Sequence, residues 1–338
     1  MRAESLKILL KNNMDMVFQP ENYEEYIKQV ATIRGYNFLN RCLIFIQNRK
    51  STDVRSEMSW AEAGRKINES NNPIHILVPV YRTSYIDTET NEEVTDPKLT
   101  PIELNQAVML GVLKRNREIV DFKSTLVYDI QDTTEVEGSY KDNGNNRNIK
   151  LSNLCRLGKQ LCGMNISNKT KKTYYDSSDR TLYVGKEREI SQLPTLIEVI
   201  VKSLVDRIDE NYRLNTMESD DEQLENMPKI DGIHRRIIED SVVYAICYGL
   251  GVKPKIDLSI SERLYDESIG NEHKMDRVQK TMDCIGSIVD IVVYTGMGVE
   301  KKDQESEIDK FRRAEQLLDI IEANYTLWKI KNGHQYSI

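Results

Sequence analysis

The sequence predicts an α+β chain of two domains, with a small mixed sheet and helices in the first half and a mostly helical second half. Apolar residues recur at helical spacing in Asn22–Ile33 and in Tyr36–Asn48, with Arg34-Gly35 as the break between them. Ile74–Tyr81 (IHILVPVY) and Phe122–Ile130 (FKSTLVYDI) have the β-branched and aromatic character of strands. Between the halves, residues 137–149 open with EGSYKDNGNNRN, which is polar, rich in Asn and Gly and nearly devoid of apolar side chains. That composition marks a linker and divides the chain into 1–136 and 150–300, with a C-terminal amphipathic helix in 301–338.

The remaining elements follow from local signals. Met58–Ile67 reads as a short helix capped by Ser59, with Glu62 at the third position of a capping box. Ser84–Lys98 is acidic and turn-rich, and is expected to be a surface hairpin loop. Past the linker come a helix over Leu151–Cys162 and short strands around Tyr174-Tyr175 and Thr181–Val184. Two helices over Leu193–Val205 and Glu239–Gly251 flank an acidic stretch, Glu218–Glu225. Further helices are expected over Asp257–Tyr265, Asn271–Tyr294 and Ser306–Ile330. The last carries an apolar stripe of Phe311, Leu317, Leu318, Ile321 and Tyr325. Gly249/Gly251 and Gly296/Gly298 read as helix stops rather than phosphate loops, since neither pair follows a strand and opens a helix.

Composition narrows the function. A chain of 338 residues with 39% hydrophobic and 30% charged residues suits a globular protein large enough for two cores. The longest apolar stretch, Ile285–Val293, is broken by Ser287 and Asp290 and is too short for a bilayer, so no membrane partner is expected. The opening M-R-A-E-S-L-K lacks the apolar region of a signal peptide, and a cytoplasmic location is expected. Five cysteines with no C-x-x-C pair fit reduced thiols, and four scattered histidines argue against a histidine-built metal centre. A net charge of −7 excludes bulk polyanion binding, so any nucleic-acid contact must come from a local patch.

One window is locally basic. Arg34, Arg41, Arg49, Lys50, Arg55, Arg65 and Lys66 outnumber Asp53, Glu57 and Glu62 there. Binding a single strand combines cations that track phosphates with aromatic faces for bases. Arg41, Arg65 and Lys66 are the candidate phosphate contacts, and Asn40 and Gln47 lie on or near one helical face with Asn37 as candidate donors. Trp60 and Tyr36 are candidate stacking groups. The bland readings stand beside these: Trp60 as a core anchor, Arg65 as an ion-pair partner, and K-T-K-K over 169–172 as a solvated turn.

The same residues carry a resemblance. Y-N-F-L-N-R-C-L-I-F-I-Q over 36–47, W-A-E-A-G-R over 60–65, I-H-I-L-V-P-V over 74–80 and V-Y-D-I-Q over 127–131 occur in the order of the ArdC-like single-stranded-DNA-binding domain. This covers about residues 20–135. The family's glycine-bearing turn after G-R is replaced here by I-N-E-S-N-N-P over 67–73. The second half resembles the zinc-peptidase domain of ArdC-type antirestriction proteins through T-Y-Y-D over 173–176, R-T-L-Y-V over 180–184, the helix pair, and M-D-R-V-Q-K-T-M over 275–282. In that family the helices read T-L-I-H-E-x-A-H and E-x-E-A-E-S-V-A-Y. Here the histidine positions fall on Glu198 and near Val201 or Lys202, and the third ligand near Arg236 or Ile238. A catalytic zinc needs three converging ligands and an open fourth position.

The resemblance therefore implies a catalytically dead, metallopeptidase-like scaffold with no catalytic residue, metal or cofactor, attached to a domain that binds single-stranded DNA. It also implies a setting in antirestriction, transfer or replication of a plasmid or phage, with a host- or element-encoded protein as a further partner. A rival reading is an interaction or inhibitor module, acting on a host protein without DNA or as a DNA mimic. The test between them is whether Arg41, Arg65 and Lys66 converge on one groove. A third reading rebuilds a metal site from Glu198, Glu239 and Asp240, which would suit magnesium or manganese.

Overall fold

The computed structural model describes residues 1–69, 72–94, 99–136, 151–168, 170–186, 189–217, 232–252, 259, 262–268 and 272–296. It is a mixed helix and sheet structure. The chain begins with α1 (Ala3–Asn13), a 3-10 turn (Met14–Phe18), α2 (Pro20–Val30) and α3 (Phe38–Gln47). Pro20 sits at the start of α2, where its missing N–H costs nothing, and the Asn37 side chain caps α3 by accepting from Asn40 N. α3 lies inside the stretch that periodicity marks, and α2 begins two residues before its own and ends three before that stretch does. After β1 (Val54–Arg55) comes α4 (Glu57–Glu62). Its cap is Ser56, whose hydroxyl accepts from Ser59 N; the expected cap, Ser59, lies within the helix instead. Gly64, at φ +71°, turns the chain into β2 (Arg65–Ile67).

β3 (Ile74–Asp87) and β4 (Leu113–Asp129) form a long antiparallel ribbon, with a bulge where Val80 and Tyr81 pair with Asp121 and Ile119. The expected loop at Ser84–Lys98 thus begins later, since the strand continues to Asp87 and Ile86 still bridges Glu93; residues 95–98 lie outside the described residues. At the far end stands α5 (Pro101–Met109), closed by a capping box between Thr100 and Glu103. β1, β4 and β3 make one sheet, and β2 pairs with β5 (Thr133–Glu135).

In the second half, α6 (Leu151–Leu161) precedes a small sheet of β6 (Asn165–Ser167), β7 (Tyr174–Asp176) and β8 (Thr181–Tyr183), in the order β6-β8-β7. The helices α7 (Glu189–Met217), α8 (Gly232–Gly249), α9 (Glu262–Ser268) and α10 (Glu272–Gly296) complete the described chain. Pro194 lies inside α7, which starts four residues earlier than expected, and α8 and α10 end at the glycines read as stops. The linker 137–149, the acidic stretch 218–225 and the C-terminal helix of 301–338 lie outside the described residues.

The apolar side chains of both halves pack in one cluster. Leu6, Phe18, Tyr23, Ile27, Phe38 and Phe45 join Leu157, Leu196, Ile200, Val242, Ile246 and Ile288 within it. The two halves therefore share a large core, beside a smaller cluster of Ile33, Ile44, Val54, Ile74, Ile76 and Val127 in the first half. Polar bonds fix their fit: Tyr23 Oη to Ser241 Oγ at 2.8 Å, Tyr244 Oη donating to Glu24 at 2.6 Å, and Phe38 N donating to Asp283 Oδ1 at 2.7 Å. Arg41, only 2% exposed, bonds Asp290 at 2.7 Å through Nη2. Its guanidinium lies against α10 at Gly286, where a Cβ would run into it.

Two outcomes follow from this junction. Gly286→Ala should lower stability by about 1–3 kcal/mol, because the added methyl displaces a buried charge; an unchanged urea midpoint would contradict the packing. Burial pushes the Asp283 carboxyl up to about 6, against the opposing effects of Phe38 N–H and Arg41. The folded state then holds a proton that the unfolded state has released, so this group's contribution is full below about pH 4 and is lost as pH rises towards 6. Stability measured against pH should fall less steeply over that window in Asp283→Asn, which keeps the acceptor for Phe38.

Candidate nucleic-acid surface

Part of the basic window, Arg55, Arg65 and Lys66, folds onto the edge where β1, α4 and β2 meet. Asp129, fully buried at the end of β4, accepts from Thr52 N at 2.8 Å and Gln131 N at 3.0 Å, which pins the chain entering β1. Burial raises its carboxyl above the usual range. Trp60, 1% exposed, is the anchor of α4 and donates Nε1 to Tyr128 O at 2.9 Å. Two guanidiniums cover its ring, Arg55 at 4.7 Å and Arg65 at 5.9 Å from the centroid. Trp60 is thus a core anchor roofed by arginines, and no base reaches its face.

The arginines are held in place. Arg55 takes Asp53 with both Nε (3.0 Å) and Nη2 (2.8 Å). Arg65 donates Nε to Thr133 Oγ1 at 2.7 Å and Nη2 to Thr133 O at 3.2 Å, and pairs with the exposed Glu135 at 3.3 Å. Tyr36, half-buried, donates to Val54 O at 3.1 Å. Burial pushes its phenol up to about 12, with Asp53 adding to the rise and Arg55 opposing it. Lys66 and Lys50 are exposed. Arg49 lies over Phe45 and donates to Asn22 Oδ1 at 2.8 Å.

Of the seven candidates, four come together at this edge: Tyr36, Trp60, Arg65 and Lys66. The other three lie behind it and serve the scaffold. Asn40 is buried and exchanges two hydrogen bonds with the Leu77 backbone at 2.8 and 2.9 Å, tying α3 to β3. Gln47 does the same with His75, accepting from its N at 3.0 Å and donating to its O at 2.8 Å. Arg41 belongs to the junction with α10, so Arg41, Arg65 and Lys66 do not converge on one groove, and this outcome counts for the interaction-module reading. Arg55 joins the edge instead. Its place was legible in part, since Asp53 and Arg55 share one side of an extended strand and can pair.

The peptidase-like helix pair presents ion pairs where the resemblance puts metal ligands. Glu198 and Lys202 pair along α7 at 2.8 Å, and the fields of Glu239 and Asp240 also raise the Lys202 ammonium. On α8, Arg235 takes Glu239 at 2.9 Å and reaches Asp206 across to α7, while Arg236 takes Asp240 at 3.5 Å. Val201 and Ile238 are buried in the core. Among the described residues, no group of three or more His, Cys, Asp or Glu is arranged to hold a metal ion. His234 is buried between Thr281 Oγ1 (2.8 Å) and Glu267 (3.0 Å), where it ties α8 to α9 and α10. No described helix is long and apolar enough to cross a membrane.

No protein-family model matches the chain, and no curated protein matches it in sequence. Among solved structures it is similar to the antirestriction protein ArdC of the R388 plasmid in two forms. The metal-free form is 10% identical, with 95% of this chain and 97% of that one covered and a TM-score of 0.38. The Mn(II)-bound form is 9% identical, with 86% and 97% covered and a TM-score of 0.40. A likeness of that size leaves function to the residues of this chain.

Proposed function

We propose that this chain is a non-catalytic accessory protein that binds single-stranded DNA, with its peptidase-like helix pair serving as scaffold. The observation that carries the reading is the convergence of Arg55 and Arg65 on the Trp60 ring, with Lys66 next to Arg65 in β2. Such an edge offers fixed guanidiniums and the exposed Lys66 ammonium to a phosphate backbone. The Arg65–Glu135 pair is solvent-exposed on the acid's side, and a pair of that kind contributes only about 0–1 kcal/mol. A phosphate can replace Glu135 at little cost. Ion pairs in place of ligands on α7 and α8 support the absence of peptidase chemistry. The sequence resemblance supplies the setting, antirestriction, transfer or replication of a mobile element.

A second reading, a protein-interaction module, is favoured by the ribbon's far end. Ile102, Met109, Leu110 and Val112 are all more than half exposed there, and α5 buries none of its residues. Patches of that kind mark contact surfaces.

Each reading has its own measurement. Fluorescence anisotropy with a labelled single strand across a salt series should show salt-sensitive binding, and Lys50→Ala/Lys66→Ala should lower the logarithmic salt slope by about 1.4. No binding at low salt would remove the DNA reading. If α5 joins copies of this chain, light scattering should give a molar mass that falls to the monomer value in Met109→Glu/Leu110→Glu. A wild-type monomer would exclude self-association through that face.

A further inference from the structure

The small sheet of the second half carries a feature that neither reading uses. Tyr174 and Tyr183 are register partners in β7 and β8, and their rings stack at 4.7 Å between centroids with 14° between planes. Side chains alternate along a strand, so Tyr175 turns the other way and packs against the core. Tyr174 is left 45% exposed. In the order β6-β8-β7, β7 is the outer strand, so no strand of this sheet flanks Tyr174 on its far side. The pile ends in an open ring face at a sheet edge.

Charge is arranged around it. Lys171 and Lys172 lead into β7, Lys186 follows β8, and all three are exposed. Gly185 draws these ends together: a Cβ there would stand 2.7 Å from the Lys172 carbonyl carbon and 2.8 Å from Lys171 O. Its N–H donates to Thr173 Oγ1 at 3.0 Å, which closes the contact. Three ammoniums therefore leave from touching backbone segments at one end of the hairpin. Asp176 and Asp179 are at the other end, where Tyr183 Oη donates to Asp179 at 3.3 Å and Ser178 N donates to Asp176 Oδ1 at 3.0 Å. The aromatic pair lies between.

We infer that the Tyr174–Tyr183 stack, with Lys171, Lys172 and Lys186, is a contact for single-stranded nucleic acid. A base continues the pile on the outer face of Tyr174, and the lysines take the adjoining phosphates. Anionic headgroups or acidic peptides would use the lysines but leave the ring idle, whereas an unpaired base with its phosphate uses both. The contact shares no residue with the β1–α4–β2 edge and stands without it.

Anisotropy of the full chain with a labelled oligothymidylate, and with an abasic strand of equal length, tests this. Tyr174→Ala should weaken oligothymidylate binding roughly five- to a hundredfold and leave the abasic strand unaffected, while Tyr174→Phe binds as wild type. Replacing the three lysines by alanine should lower the logarithmic salt slope by about 2. Unchanged thermal midpoints exclude unfolding as the cause, since every altered side chain is on the surface. Equal binding by wild type and Tyr174→Ala, or equal loss on the abasic strand, overturns the inference. Loss in Lys50→Ala/Lys66→Ala alone supports the first edge and overturns this contact. Loss in Tyr174→Ala alone does the reverse, and loss in both upholds both.

Discussion

The rest of the structure turns on Arg41, whose guanidinium lies on the bare backbone of α10 at Gly286 and bonds Asp290. A charge this deeply buried must be paired, and removing one partner of such a pair typically costs about 3–5 kcal/mol. The constraint reaches outward because α3 is used on two sides. Asn40 and Gln47 bond the backbone of β3 at Leu77 and His75, while Phe38 and Arg41 bond Asp283 and Asp290 on α10. Apolar burial drives the halves together but is non-directional. These polar bonds, each with a required direction, set how α3 is rotated between sheet and helices, and so where β1, α4 and β2 stand.

Elements with a buried side were legible from sequence, and elements without one were not. α2, α3, α6 and α8 announce themselves because their apolar residues recur with the helical period and meet the common core. The inner half of the ribbon was legible through its strand-like apolar run, of which Ile74, Ile76 and Val127 pack in a smaller cluster of their own. In its outer half, Tyr81–Asp87 against Leu113–Ile119, Tyr81, Arg82 and Thr83 are exposed and Ser84–Asp87 only partly buried, so little apolar alternation marks it and the pairing depends on closing a distant turn. α5 had a local sign in T-P-I-E over 100–103, a capping box with proline at its start, but no apolar stripe because none of it is buried. The linker composition of 137–149 marked a change along the chain, and it carries no information about whether the flanking segments share a core.

The candidate surface was half legible for a related reason. Asn37, Asn40 and Gln47 were grouped on or near one helical face and Arg41 was read as a phosphate contact, because polar residues on a helix read as exposed unless their partners are known. Arg41's partner is 249 residues away, and no local pattern encodes that. Trp60 was readable as an anchor because large rings are mostly buried. K-T-K-K over 169–172 read as a solvated turn because a charge run has no neighbours in one dimension. Only the cross-strand register of Tyr174 with Tyr183, and the bare backbone of Gly185, bring Lys171 and Lys172 to the same hairpin as an aromatic pair.

Electrostatics decides what two small basic surfaces can do on a chain of net charge −7. At physiological salt, charges are screened beyond about 8 Å, so each patch acts over its own width while the acidic remainder contributes little attraction. A bulk polyanion gains little from such a molecule, because phosphates away from a patch meet carboxylates. Affinity must then come from contacts that need more than charge. A duplex presents phosphates at high density but keeps its ring faces stacked internally, and nothing on it can extend the Tyr174–Tyr183 pile. An unpaired strand presents both, and in the proposed contact its base lies on Tyr174 while a phosphate meets Lys171 or Lys186. Under that proposal the acidic balance of the chain works as a filter: binding by charge alone is weak, and stacking, which an open strand can satisfy, is the term that selects the partner.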